Sequence, residues 1–191
     1  MLTTKQLQVM LDMQHKMNST IHAQWYEQDW NYYRASYLEA AEAVEHHGWK
    51  WWKAQVKDLP QLQMELIDIW HFYLSRFIQA RKGDLDMALQ DIQKTIQNTS
   101  DIIIFDSKTY VISSLHILDK LDLLIGLNAT KRIELNLFFA LMKDCELDYI
   151  DLNKQYVMKN ILNIFRQKNG YKEGSYHKTW FNVEDNVTLV Q

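Results

Sequence analysis

Two pairs of carboxylates share one spacing. Glu39 and Glu42 lie three residues apart in Tyr37-Leu-Glu-Ala-Ala-Glu-Ala-Val44, and after 22 intervening residues Glu65 and Asp68 repeat the interval. Three residues apart on a helix means one face. A lone Glu-x-x-Glu is ordinarily a solvated helix face. The second pair does not suit that description, because Met64-Glu-Leu-Ile-Asp-Ile-Trp-His-Phe-Tyr-Leu74 is otherwise nearly all apolar and burying unpaired carboxylates is costly. Four carboxylates on two facing helices would repel and raise one another's pKa values unless cations sat between them. Oxygen-only ligation suits Mg²⁺ or Mn²⁺, hard ions that leave positions open for water and substrate phosphates. Such ions activate water and neutralise phosphate oxygens and leaving groups. His71, three residues after Asp68, admits a rival chemistry, since di-iron bundles use Glu-x-x-His on two helices; no Glu-x-x-His accompanies it here.

A second constellation is basic. Lys159, Asn163 and Arg166 fall at i, i+4 and i+7, one face of a helix from which Val157, Ile161, Ile164 and Phe165 point away. Alone, this is an amphipathic surface helix. Beside a metal-loaded carboxylate site, the stripe and the Tyr171, Lys172 and Lys178 that follow suit a polyphosphate gripped by charge-assisted hydrogen bonds. Between Asn153 and Trp180 there are six Lys or Arg against one acid, a local +5 that leaves −8 for the rest of the −3 chain. That acidic remainder argues against a nucleic-acid binder. Trp49-Lys-Trp-Trp-Lys53 offers rings for core or dimer packing, or for stacking on a base, and Gln14 and Asn18, at i and i+4, are amides able to read a base edge. The lone Cys145 makes no internal disulfide and reads as a buried structural thiol.

The elements that must position these groups read as helices. Only 5 Gly and 1 Pro occur in 191 residues, where average usage gives roughly 13 and 10. Turn-rich folds are disfavoured, and neither G-x-G-x-x-G nor G-x-x-x-x-G-K-[ST] occurs, so phosphates must be held by side chains and metal ions. Apolar spacing predicts helices at about 4–18, 30–47, 59–81, 84–98, 109–126, 130–145 and 149–168. The run Asp101-Ile-Ile-Ile-Phe-Asp106 is too isolated to pair in a sheet and reads as a packed connection, within a variable insertion at about 82–108. No apolar run is long enough to span a membrane, and the first residues lack a signal-peptide core, which points to the cytoplasm.

Together these motifs resemble the dimeric all-α dUTPases of the all-α nucleotide pyrophosphohydrolase superfamily, which includes dCTP pyrophosphatases and MazG-type enzymes. The resemblance rests on Glu39-x-x-Glu42 with Glu65-x-x-Asp68, Trp49-Lys-x-Trp-Lys53, Glu65-Leu-Ile-Asp-Ile-Trp-His-Phe72, Lys159 to Tyr176, and Val183-Glu-Asp-Asn186. It implies a single helical-bundle domain over 1–191 and a homodimer that hydrolyses dUTP, and dUDP, to dUMP with Mg²⁺ or Mn²⁺. By similarity, Glu39, Glu42, Glu65 and Asp68 hold the metal, with Glu42 the candidate base. Lys159, Arg166, Tyr171, Lys178 and Asn186 match phosphate contacts. Gln14, Asn18, Trp52, His71 and Asn163 fall where the family surrounds the deoxyuridine. An amide such as that of Asn163 pairs a donor with uracil O4 and an acceptor with N3–H, a pattern that cytosine reverses. The rival expectations are a sibling dCTP or broad-range pyrophosphohydrolase and a non-enzymatic helical partner-binding protein.

Overall fold

The computed structural model describes residues 1–98, 100–180 and 182–190. Among them eight helices carry the fold: α1 (Thr4–Ile21), α2 (Tyr32–His47), α3 (Leu59–Ala80), α4 (Leu85–Gln97), α5 (Ile117–Ala129), α6 (Leu135–Asp144), α7 (Tyr149–Lys168) and α8 (Asp185–Val190). Their starts are written in short polar side chains. Thr3, Asn31, Asp58, Asp84 and Asp148 each accept a hydrogen bond from a backbone N–H of the following first turn, supplying acceptors that the helix itself lacks there. Pro60 sits in the first turn of α3, where a missing N–H costs nothing.

Helix α3 is the central element, packed by α1, α2, α4 and α7. Its Leu66, Ile67, Ile69, Trp70 and Leu74 are fully buried, and Trp70 stacks on Phe138 of α6 with ring centres 5.4 Å apart. The approach of α2 to α3 has a local cause. Ala40 and Ala43 alternate with Glu39 and Glu42 and are fully buried, so small side chains bring the backbones close and leave the longer glutamates at the seam. A buried polar knot ties α1 to α3 and α7. The Gln14 amide donates to Ser75 Oγ (2.9 Å) and Asn18 Oδ1 (3.1 Å), Asn18 Nδ2 donates to the same hydroxyl (2.9 Å), and Tyr156 OH donates to Gln14 Oε1 (3.0 Å).

Three expectations along the chain are corrected. Ile102–Phe105 is a strand, β1, paired antiparallel with β2 (Lys108–Val111) in the register Ile102↔Val111 to Phe105↔Lys108. Asp106 and Ser107 both adopt positive φ, 49° and 59°, the two-residue turn whose twist matches a hairpin. The helix expected from 109 therefore begins only at Ile117, capped by His116. Apolar spacing misread 109–116 because Tyr110, Ile112 and Leu115 mimic a helical stripe while serving the inner face of the hairpin and a following 3-10 turn. Likewise α6 starts at Leu135 rather than 130, since Lys131 turns left-handed (φ 63°) after α5. The 82–108 segment is built into the bundle, with α4 packed on α1, α3 and α6.

Candidate active site

A cavity of about 610 Å³ opens between α2, α3, α7 and the chain that follows α7. Glu39, Glu42 and His46 line it from α2. Gln61, Met64, Glu65, Asp68 and Phe72 line it from α3, with Asp58 at the cap of that helix, and Lys159, Asn163 and Arg166 from α7. The last wall comes from Tyr171, Lys178, Glu184 and Asn186. A short pair of strands, β3 (Thr179–Trp180) and β4 (Val183–Glu184), shapes that wall. It docks on α7 through Phe165, whose ring lies 5.6 Å from Trp180 and 6.2 Å from Tyr176. The chain can turn there because Gly170 takes φ +89° and Ser175 Oγ occupies the place a side chain would need.

The carboxylates converge. Glu39, Glu42 and Glu65 present oxygens within 4.8 Å of one another. Burial, and then the neighbouring charge of Asp68, hold the Glu39 and Glu65 carboxyls well above the usual carboxylate range. The two share a hydrogen bond, and His46 Nε2 approaches Glu65 Oε1 at 3.3 Å. Asp68 is turned differently: its Oδ2 pairs with Lys159 Nζ at 2.8 Å. This donor set fits a hard divalent cation, because three oxygen donors already meet at one point and positive charge there would offset their mutual repulsion. Opposite them, Arg166 and Lys159 are both about 5% exposed, and both donate to Asn186 Oδ1, at 2.8 and 3.3 Å.

Glu39, Glu42, Glu65, Asp68, Lys159, Asn163, Arg166, Tyr171, Lys178 and Asn186 thus meet in one cavity. Gln14, Asn18, His71 and Trp52 stand apart from its walls. The Gln14 and Asn18 amides hydrogen-bond within the α1–α3–α7 knot. His71 is buried against Tyr156, ring centres 4.3 Å apart, with Nδ1 on the Ile67 carbonyl at 2.8 Å and its pKa pulled down to about 4 by burial. It is no neighbour of the three converging glutamates, so the Asp-x-x-His of the di-iron alternative does not gather here. Trp52 is 59% exposed and packs edge-on against Trp49 and Trp51 in the loop after α2. That loop leaves the cavity wall at His46 and rejoins it at Asp58, closed by the Asp58 N–H on the His46 carbonyl (2.8 Å). Lys172 also lies elsewhere, donating to the Ile21 carbonyl (3.0 Å). Cys145 is buried, and burial pushes its thiol up to about 12.

The cavity residues that sequence reasoning missed are His46, Asp58, Gln61, Met64, Phe72 and Glu184, with Asp185 behind them. His46 carried a usable signal, being i+4 from Glu42 and i+7 from Glu39 on one helix face. Asp185 stands inside the Val183-Glu-Asp-Asn186 motif, which gave it no role of its own.

A mostly helical frame sets carboxylates of two helices against cations of a third. The dUTPase family model matches residues 6–171, from the first turn of α1 to just beyond α7, and the chain belongs to that family, whose activity is dUTP diphosphatase. No individually curated protein matches the chain. The matched span includes all four carboxylates and Lys159, Asn163, Arg166 and Tyr171.

Proposed function

We propose that the protein hydrolyses dUTP, and dUDP, to dUMP in this cavity, using Mg²⁺ (or Mn²⁺) held by Glu39, Glu42 and Glu65 with Asp68 beside them. The observation that carries the reading is the meeting of three carboxylates within 4.8 Å across one cavity from Lys159 and Arg166. A divalent cation bound there supplies Lewis-acid activation of water and neutralises phosphate charge. The chain supplies the rest. Glu42, the most solvent-facing of the three glutamates, accepts the proton of the attacking water, and Lys159, Arg166 and Lys178 stabilise charge developing on the polyphosphate. Asn163 faces the same space and reads the uracil edge, and the Trp49–Trp52 loop at the rim offers rings to the base. The enzyme works as a cytoplasmic homodimer. Release of phosphate or pyrophosphate from dUTP, dUDP, dCTP, dTTP and UTP with Mg²⁺ tests the reading. Preference for dUTP and dUDP is expected; preference for dCTP or UTP overturns it in favour of a sibling pyrophosphohydrolase. Two irons per chain in the purified protein would overturn the metal assignment.

A further inference from the structure

Arg166 is a cation of the cavity wall gripped on both sides of its fork by a carboxylate outside that wall. Asp185, fully buried, grips the guanidinium from behind: Nε donates to its Oδ2 at 2.9 Å and Nη2 to its Oδ1 at 2.6 Å. Nη2 also donates to Asn186 Oδ1 at 2.8 Å, and the Tyr176 hydroxyl donates to Asp185 Oδ2 at 2.8 Å. Of the five N–H donors of a guanidinium, three are therefore committed. Nη1 remains, and it makes a long 3.5 Å approach to Asn163 Oδ1. Arg166 and Asn163 line the cavity, whereas Asp185 and Tyr176 do not. The backbone of Asp185 reaches the second cation as well, its N–H donating to the Lys178 carbonyl at 2.8 Å.

We propose that Asp185, seconded by Tyr176, is a positioning residue for hydrolysis: it locks the Arg166 guanidinium so that the Nη1 edge meets a phosphate oxygen of the nucleotide. The proposal rests on the reading of Arg166 as a phosphate ligand. Its physical basis is preorganisation. An unheld arginine must lose rotamer freedom when the phosphate arrives, whereas a bidentate clamp has ordered it beforehand, and fixed donors aimed at developing charge cost no reorganisation during the reaction. A carboxylate so close to a phosphate-binding cation would compete with substrate if it reached into the cavity. Buried behind the guanidinium, it orients the cation and leaves its front edge to the ligand.

The test is a double-mutant cycle on dUTP turnover at saturating Mg²⁺, with Asp185→Asn, Arg166→Gln and the pair, each checked by circular dichroism and thermal melting. Asp185→Asn is expected to lower kcat/KM roughly 10- to 100-fold, the scale of lost charge-assisted hydrogen bonds. The same substitution is expected to add nothing once Arg166 is Gln, and the inhibition constant for inorganic pyrophosphate rises in step. Tyr176→Phe, which keeps the ion pair and removes one donor, should cost a few-fold and be equally silent in the Arg166→Gln background; it carries the test if Asp185→Asn does not fold. Losses that multiply in the pair would make Asp185 merely structural and overturn the proposal. A kcat/KM that holds or rises in Asp185→Asn would make the contact neutral or competitive and overturn it too. Near-full activity of Arg166→Gln alone would instead bring down the phosphate reading of Arg166, a separately visible failure.

Discussion

Replacing Glu65 by Gln should make the metal-stripped protein more stable while removing its activity. Glu65 is 6% exposed, and its carboxyl is held above the usual range by burial, then by Asp68, then by its hydrogen bond to Glu39. Because its folded pKa is raised, the metal-free protein is at its best at or below the ordinary carboxylate pKa and loses stability as pH climbs from there through the raised value. At pH 8 the wild type carries that loss in full or in large part. The isosteric amide carries none of it. The cost of a buried polar group that lacks adequate partners is about 1–3 kcal/mol, and the approach of His46 Nε2 offsets part of it, so a gain of about 1–2 kcal/mol is expected. For a chain of this length that corresponds to roughly 2–8 °C in Tm. Urea and thermal melts in EDTA at pH 8 and pH 4.5 measure it: Glu65→Gln melts above wild type at pH 8 and together with it at pH 4.5. With saturating Mg²⁺ the order reverses, because only the wild type keeps its full ligand set. A variant less stable than wild type in EDTA at pH 8 would refute the claim that uncompensated carboxylate charge is concentrated at Glu65, and with it the electrostatic case for a cation there.

Three further outcomes follow from the same structure. Mg²⁺ binding to stripped protein near pH 7 should release protons from the Glu39–Glu65 pair and tighten as pH rises; calorimetry in two buffers of different ionisation enthalpy reads the proton count, and no release would contradict the raised carboxyls. Ala40→Leu, at a fully buried contact in the α2–α3 seam, should cost about 1–3 kcal/mol by overpacking and lower turnover further than core substitutions of equal stability cost away from the seam, since it parts the carboxylate pairs. Tyr156→Phe removes the one hydroxyl donor that the Met10 carbonyl (2.8 Å) and Gln14 Oε1 (3.0 Å) share, and should cost about 1–2 kcal/mol with an unchanged KM for dUTP. A tenfold rise in KM at unchanged stability would show instead that the Gln14–Asn18 knot opens onto the substrate.

The helices that position the site were legible because local signals agreed with the global fold. Helix α3 pairs a capping Asp58 and first-turn Pro60 with a run so apolar that its polar stripe could only face a seam. Helix α7 announced itself by the split between Lys159/Asn163/Arg166 and its apolar flank. The hairpin was hidden because its turn, Asp106-Ser107, lacks the glycine that usually marks positive φ, and because its second strand overlaps a false helical period. The surroundings of the two amides were hidden for a different reason. Spacing places Gln14 and Asn18 on one face, but only the packed bundle shows that Ser75 and Tyr156 hydrogen-bond to them. The partner of Asp185 was hidden for the same reason, since it lies nineteen residues back on α7.

The central claim is that the carboxylates of α2 and α3 hold the metal that dUTP hydrolysis requires. Anomalous scattering from crystals grown with Mn²⁺ tests it most directly. A peak within about 2.5 Å of the Glu39, Glu42 and Glu65 oxygens is expected, lost in Glu65→Gln crystals. An active, Mn²⁺-loaded protein whose only peaks lie away from these three residues would contradict the account.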